Sequence, residues 1–405
     1  MNLLGDQFAV LALPLLAIEI VGASIAQAAL LPFALFVPFL LLGLPAGAIV
    51  DRLPRRATML ICDLVQAAVF TIIVMLALFD LLRFPVLMTM VTIGGSAMVF
   101  FQVAYTSYLP ELMSSEQELQ SGNSRLYLSE SMSRTIGPMA AGVMVAAFGI
   151  VAALVFNAAT FVISVVFLLS IRHRASCRQA KPVEPGWLYR DIREGIAFVV
   201  SHDKIEPVIS CGVVYVAFLS MIEASLVLYC KSVLSLNPAA IGLVVGAVAA
   251  GFPIGNLLSP RLVAHIGVGR TLALSAAISV AGIVFIPIAG SVASVSALIV
   301  ANVIHGIGEG VFGPTALTLR QSETPASLLG RVNSVQRFLI WGAIPLGSLM
   351  TFVCIKLWGL NIAMWVGGLG TVLCLPVLLR RGLYNEVLGR SVSHSGVLEQ
   401  QESAN

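Results

Sequence analysis

The chain has 405 residues, of which 58% are hydrophobic and only 11% are charged. Soluble domains are about 25% charged, and no soluble fold could cover this much apolar surface. The composition therefore indicates a polytopic membrane protein. The basic residues are spread over short separate loops, which argues against nucleic-acid binding, and the six cysteines show no paired spacing. We interpret the cysteines as small apolar residues rather than as disulfide partners or metal ligands.

Apolar segments of spanning length recur twelve times, which predicts an all-α fold of twelve transmembrane helices. They cover residues 2–21, 24–50, 57–79, 85–112, 121–148, 150–171, 205–230, 237–263, 270–290, 294–319, 330–356 and 358–380.

A basic turn between the second and third segments sets the orientation. It reads Asp51-Arg52-Leu-Pro54-Arg55-Arg56, and a short arginine-rich loop between two spans stays in the cytoplasm. With this turn inside, 18 of the 23 Lys and Arg residues lie on the cytoplasmic side and three lie outside. We therefore expect both termini in the cytoplasm, with the chain crossing its membrane several times.

The longest polar stretch, residues 172–204, divides the chain into halves of similar length. It carries basic residues and two prolines, and then an apolar face formed by Ile192, Ile196 and Val199. This pattern predicts a cytoplasmic linker with an amphipathic helix on the inner leaflet. The expected domains are two six-helix bundles, residues 1–171 and 205–380, followed by a disordered cytoplasmic tail, residues 381–405.

The two halves repeat each other in sequence. Gly43-Leu-Pro45-Ala-Gly47 matches Gly251-Phe-Pro253-Ile-Gly255, and Asn123-Ser124 matches Asn333-Ser334. Glycines four residues apart allow one helix to pack closely on another. Parallel six-helix pseudo-repeats are typical of secondary transporters.

The order Gly47-x-x-x-Asp51-Arg52-x-Pro54-Arg55-Arg56 resembles the loop between helices 2 and 3 of the major facilitator superfamily. Gly5-Asp6-Gln7, Leu109-Pro110-Glu111-Leu112 and Gly330-Arg331-Val332-Asn333 resemble its enterobactin-exporter and macrolide-efflux branch. The resemblance implies transport by alternating access across the inner membrane of a bacterium, with Gly47, Asp51, Arg52, Arg55 and Arg56 as a gating loop. It also implies an antiporter-like motif at Gly137, Pro138 and Gly142, although Ser133 stands where that motif has a glycine.

Ionisable side chains within the predicted spans are candidates for proton coupling or substrate transport, because they are costly to bury in a membrane. Glu130 and Arg134 lie one helical turn apart and can pair, either for transport or to pin their helix to a neighbour. Asn302, His305 and Glu309 form one polar stripe, which serves either coupling or interhelical hydrogen bonding. Glu223 is alone in an apolar run, Asp6 is expected near the inner interface, and Asp63 is expected to support the basic turn.

The sequence favours a proton-coupled exporter of small lipophilic or amphiphilic compounds, such as a drug, macrolide or siderophore. The alternative is a proton symporter or facilitator that imports a metabolite. An enzyme is not supported, since there is no nucleophile–base pattern and no nucleotide-binding loop. We expect no cofactor and no metal, and the expected partners are the substrate, protons and the lipid bilayer, with the protein acting as a monomer.

Overall fold

The computed structural model describes residues 2–50, 53–112, 129, 132–133, 136–170, 187–325, 328–380 and 383. The regular elements among these residues are helices. They are α1 (Asn2–Glu19), α2 (Ile25–Ala28), α3 (Leu31–Val50), α4 (Arg55–Leu78), α5 (Phe84–Leu112), α6 (Ile136–Phe148), α7 (Ile150–Ser170), α8 (Trp187–Ser201), α9 (Ile205–Ser232), α10 (Pro238–Ile266), α11 (Val268–Ser291), α12 (Val295–Glu323), α13 (Leu329–Trp358), α14 (Leu360–Thr371) and α15 (Cys374–Leu378).

Within the described residues, ten stretches are helical, long and apolar enough to cross a membrane. The chain is therefore an all-helical, multi-pass membrane protein. Two predicted segments are not among the ten. Residues 2–21 contain the whole of α1, and residues 121–148 contain α6 after a part that lies outside the described residues. The count of twelve spans thus stays a prediction.

Polar contacts between helix ends identify two opposite ends of the bundle. At one end Glu19 at the end of α1 pairs with Lys231 at the end of α9. Ser24 lies in the connection from α1 to α2 at this end, so we call it the Ser24 end. At the other end Lys204 before α9 contacts Glu323 at the end of α12, with Nζ and Oε1 2.8 Å apart. This second end also contains the turn from α3 to α4, so we call it the Arg55 end.

The helices before α8 form a first set and those after it a second set, and the same packing pairs occur in each. In the first set α3 packs on α5, α4 on α5 and α7, and α1 on α7. In the second set α10 packs on α12, α11 on α12 and α14, and α9 on α14.

The glycines expected to bring helices together behave differently in the two sets. A Cβ on Gly251 or Gly255 would collide with the α12 backbone, where Gly306 and Gly310 face them. By contrast, a Cβ on Gly43 would meet no described atom of another helix within 4 Å. The prediction of close packing is therefore wrong for Gly43, because α5 approaches α3 nearer its other end, where Gly95 lies against the Leu35 backbone.

The helix α8 occupies the end of the predicted linker, most of whose earlier part lies outside the described residues. Its Val199 is buried, together with Val332 and Val335 of α13. Gly195 allows the close approach, since a Cβ there would lie 3.2 Å from the Arg331 carbonyl oxygen. Ile196, expected on the same face as Val199, is 44% exposed. The face that packs on protein is thus narrower than the apolar face read from the sequence.

The second predicted segment, residues 24–50, is broken between α2 and α3. Pro32 at the start of α3 has no N–H to donate to Ala28, so the helical ladder is interrupted there. Ser24 caps α2, with its hydroxyl accepting from Gln27 N and its own N–H donating to the Gln27 side chain. Both pieces are uniformly apolar, so the break between them is not visible in the sequence.

Candidate functional site

The two sets of helices meet along α3 and α13, and one serine links them. Ser348 of α13 is fully buried. Its hydroxyl donates to the Ala29 carbonyl over 2.7 Å and accepts from the Phe33 N–H over 3.1 Å. These two backbone groups would bond to each other in an unbroken helix, so a side chain of the second set is inserted into the ladder of the first.

About two helical turns along α13 from Ser348, the side chains at the same contact are aromatic. The ring of Trp341 lies 4.8 Å from that of Phe39 and 6.2 Å from that of Phe36, measured between centroids. Leu40 faces Gly342 beside them. The three rings are partly buried, which makes this an apolar, adaptable wall between the two sets.

A second contact between the sets joins α6 to α10. A Cβ on Gly142 would lie 2.6 Å from the Pro238 carbonyl oxygen and 2.9 Å from the Gly242 Cα. The helices therefore touch backbone to backbone. Both glycines lie within two turns of the helix ends Phe148 and Pro238, which are at the Ser24 end.

The contacts just described run from the Ser24 end to the middle of the bundle. Towards the Arg55 end of α3, Leu41 is 68% exposed and Ile49 is 43% exposed. Together with the open space at Gly43, this shows that the described part of α3 leaves α13 beyond Leu40.

Asp6 lies deeper than the sequence suggested. Its neighbour Gly5 is pressed against the Asn157 and Thr160 side chains of α7. Thr160 is ten residues before the end of α7 at Ser170, which places it about 15 Å from that end. The expectation of an interfacial Asp6 is wrong, because α1 begins well inside the span of α7.

A polar cluster surrounds Asp6 in the first set. Asp63 of α4 is fully buried and acts electrostatically on Asp6. It lies eight residues into α4, about 12 Å from the helix start, and its expected support of the basic turn stays a prediction. Asn157 is also fully buried, and its amide nitrogen and oxygen have no hydrogen-bond partner among the described residues.

A second polar cluster lies in the second set and holds His305. The Tyr215 hydroxyl is 2.6 Å from Ser279 Oγ and 3.1 Å from His305 Nδ1, and Ser279 Oγ is 2.9 Å from the same nitrogen. These buried side chains come from α9, α11 and α12. The His305 ring is thus within hydrogen-bond distance of side chains from two neighbouring helices, as the interpretation of the stripe as interhelical hydrogen bonding predicts.

The other members of the stripe differ from His305. The Asn302 amide donates to the Leu298 carbonyl of its own helix over 2.9 Å. Glu309, one turn from His305, is half-buried, and Glu223 of α9 is exposed. Both carboxylates act electrostatically on Tyr215, with Glu309 the stronger. Glu309 is therefore the carboxylate more closely associated with this cluster.

In the basic turn, the structure gives Arg56 a partner. Its guanidinium donates to the carbonyls of Leu168 and Leu169, each over 2.8 Å. These carbonyls lie in the last turn of α7 as it is described, so Arg56 caps them and its charge suits the negative end of the helix dipole. Arg55 begins α4 beside it, and Gly47 lies in the last turn of α3.

Several candidates lie outside the described residues, and their roles stay predictions. They are Asp51, Arg52, Glu130 and Arg134. Of the antiporter-like motif, Gly137 and Pro138 are buried at the start of α6. Gly137 lies against the Gln7 side chain of α1, whereas Gly142 makes the contact with α10.

Sequence reasoning missed Asn157, Tyr215, Ser279 and Ser348. A single uncharged polar residue in an apolar helix is a weak signal, since it usually bonds to its own helix. Tyr215 and Ser279 can be recognised as site residues only once α9, α11 and α12 are packed together around His305.

Comparison with known proteins decides the family. A model of the transmembrane secretion effector family, within the major facilitator superfamily, matches residues 12–388. The chain belongs to this family. The family and its relatives are membrane transporters, so the interpretation as a transporter rather than an enzyme is confirmed.

Relatives of this secretion effector family member include two efflux proteins. The multidrug efflux pump Tap of Mycolicibacterium fortuitum is 25% identical over 354 residues, which cover 85% of this chain and 84% of the pump. Macrolide efflux protein A of Enterococcus faecalis is 23% identical over 316 residues, which cover 77% of this chain and 96% of that protein. The predicted resemblance to macrolide-efflux proteins is confirmed.

Among solved structures, a bacterial homologue of the iron transporter ferroportin in an inward-facing state superposes with a TM-score of 0.75. The alignment covers 93% of this chain and 95% of that one, at 18% identity. This likeness shows that the family member has the fold of a major facilitator transporter.

Proposed function

We propose that the protein is a proton-coupled exporter of small lipophilic or amphiphilic compounds, such as a drug, macrolide or siderophore. The observation that carries this proposal is the similarity to multidrug and macrolide efflux proteins over 77–85% of the chain. The aromatic wall of Phe36, Phe39 and Trp341 between the two sets of helices supports it, because such a surface suits apolar ligands of varied shape.

The proposed architecture is twelve transmembrane helices in two six-helix halves, residues 1–171 and 205–380, joined by the linker 172–204 and followed by the tail 381–405. The recurrence of the same helix pairs in both sets supports this architecture. We place the Arg55 end in the cytoplasm of a bacterium, with both termini on that side, on the distribution of Lys and Arg. The proposed unit is a monomer in the inner membrane.

Alternating access follows from where the halves touch. With the Arg55 end inside, the described contacts through Ser348 and Gly142 close the outer end, and α3 and α13 separate towards the cytoplasm. The conformation is then inward-facing. Export requires the outer contacts to break and the gating loop, from Gly47 to Arg56, to join the halves at the cytoplasmic end.

We propose that proton coupling uses the two polar clusters, one around Asp6 and the other around His305. A change in hydration between two conformations changes the proton occupancy of a carboxylate, and Asp6 and Glu309 each lie beside buried polar groups. Glu130, Arg134, Glu223 and His305 remain further candidates. One proton moving down about 100 mV supplies about 2.3 kcal/mol, somewhat under two decades of substrate gradient.

The test is accumulation of a macrolide antibiotic and a lipophilic dye in cells with and without the protein. Export predicts lower accumulation with the protein, and a protonophore should abolish the difference. Arg134→Ala, inserted normally, should behave like cells without the protein. Uptake of a metabolite that rises with expression, with unchanged macrolide and dye levels, would instead establish the import alternative.

A further inference from the structure

A basic pocket lies where α8 meets the beginning of α13, away from the contact between the two sets of helices. Its volume is about 490 Å³, and it is lined by Arg190, Arg193, Glu194, Ala197 and Arg331. Arg331 pairs with Glu194, whose side chain is 51% exposed. Among the described residues that line the pocket, three are arginines and one is a carboxylate, so this part of the lining is basic.

The rest of α8 shows how the pocket is oriented. Gly195 and Val199 face α13 and are buried. Successive residues of a helix are about 100° apart, so Ile196 and Val200 lie next to Arg193, between the protein-facing side and the pocket side. They are 44% and 55% exposed. The helix therefore has an apolar flank directly beside its basic stripe.

We propose that this pocket binds the headgroup of an anionic phospholipid, with the apolar flank of α8 covered by its acyl chains. A phosphate carries acceptor oxygens that match planar guanidinium groups. A free anion would account for the arginines but not for Ile196 and Val200. A helix with adjacent basic and apolar faces at the end of membrane spans is suited to the boundary between headgroups and chains.

Charge complementarity selects the lipid class. A zwitterionic headgroup brings its own cation close to the three arginines, whereas phosphatidylglycerol brings a net negative charge. Each basic residue near an anionic lipid surface changes binding by about fivefold. The proposal is independent of the transported substrate and of the direction of transport, so either can fail without the other.

The test is native mass spectrometry of the purified full chain in detergent, titrated with phosphatidylglycerol or with phosphatidylcholine of the same chains. The wild type should bind phosphatidylglycerol in preference. The double variant Arg190→Gln with Arg193→Gln should bind it about thirtyfold more weakly. The matched control is Arg261→Gln with Arg270→Gln, which removes two exposed arginines at the same end of the bundle and should bind like the wild type.

Three results would overturn the proposal. They are equal binding of the two lipids by the wild type, equal loss in both double variants, and displacement of phosphatidylglycerol by millimolar inorganic phosphate, which would make the pocket a site for a soluble anion. The wild type alone gives a further readout if a variant fails to fold. Raising the salt concentration should weaken phosphatidylglycerol binding, and binding that is unchanged by salt also contradicts the proposal.

Discussion

Ser348 completes the hydrogen-bond ladder at the start of α3 from the other set of helices. Ser348→Ala removes both bonds and leaves the Ala29 carbonyl and the Phe33 N–H buried without that partner. The cost is about 1–3 kcal/mol, so the conformation with contacts at the Ser24 end should lose population roughly five- to 150-fold relative to the other.

The measurement for Ser348→Ala is maleimide labelling of a cysteine introduced at Phe36, which faces Trp341, with the native cysteines replaced. Labelling from outside should rise. Thr351→Val is the matched control, since the Thr351 hydroxyl is equally buried but donates to Gly347 of its own helix. Equal labelling of the two variants would show that Ser348 does not hold the halves together.

The carboxylates Glu309 and Glu223 offer a second prediction at this scale. Glu309 is half-buried beside the His305 cluster, whereas Glu223 is exposed. Glu309→Gln should abolish substrate-induced proton release, and Glu223→Gln should retain it. The release is measured with a pH indicator in weakly buffered detergent solution. Wild-type release by both variants would move coupling elsewhere, to Asp6 or Glu130.

For individual side chains, the sequence identifies candidate charged residues but does not give their depth in the bundle. Charged residues within spans are visible as exceptions to an apolar pattern, so Asp6, Glu223 and Glu309 could be named without a structure. Their depth could not, because the stagger between α1 and α7 depends on the packing of Gly5 against Asn157. The same limit applies to Arg56, whose partners are carbonyls of a helix more than a hundred residues away.

At the scale of helices, the contact between α6 and α10 depends on the absence of side chains. Gly142→Ala places a methyl group 2.6 Å from the Pro238 carbonyl oxygen, and both partners there are backbone that cannot rotate away. The helices must separate, so labelling at Phe36 should increase as it does for Ser348→Ala.

Gly43→Ala is the control for Gly142→Ala, because both substitutions favour helix formation equally and the Gly43 methyl would meet no other helix within 4 Å in the described part of the chain. It should leave labelling unchanged. A rise in labelling with Gly43→Ala, or none with Gly142→Ala, would contradict the assignment of the close contact to α6 and α10.

Most helices were predictable from apolar runs of spanning length, because a membrane imposes helical hydrogen bonding on every such run. The breaks were not. The interruption before Pro32 and that between α14 and α15 lie inside continuous apolar sequence. At the first break, the freed backbone groups of Ala29 and Phe33 find their partner on α13. Glycine pairs were ambiguous for a related reason, since Gly43 and Gly251 share a motif but, among the described helices, one packs against Gly251 and none against Gly43.

At the scale of the whole molecule, the account requires two conformations with opposite closed ends. Asp51, in the gating loop, is predicted to join the halves only when the Arg55 end is closed. A latch worth about 1–2 kcal/mol shifts a balanced equilibrium roughly five- to thirtyfold. Asp51→Asn should therefore lower labelling at Phe36 and slow turnover, opposite in sign to Ser348→Ala. Unchanged labelling in well-expressed protein would leave the turn as a topology signal alone.

The family was accessible from sequence because its motifs lie in short loops at fixed spacing, as in Asp51-Arg52-Leu-Pro54-Arg55-Arg56. The contact that closes one end was not accessible, since Ser348 and Ala29 are more than three hundred residues apart. Nothing local in either segment marks them as partners.

The most direct test of proton-coupled export is transport into proteoliposomes that contain the purified protein with its Arg55 end facing outward. A macrolide should accumulate inside when the interior is made acidic, with protons leaving as it enters, and accumulation should stop when the pH gradient is collapsed. Glu309→Gln vesicles should take up far less under the same gradient. Accumulation that persists without the gradient, or that occurs only when the interior is alkaline, would contradict proton-driven export.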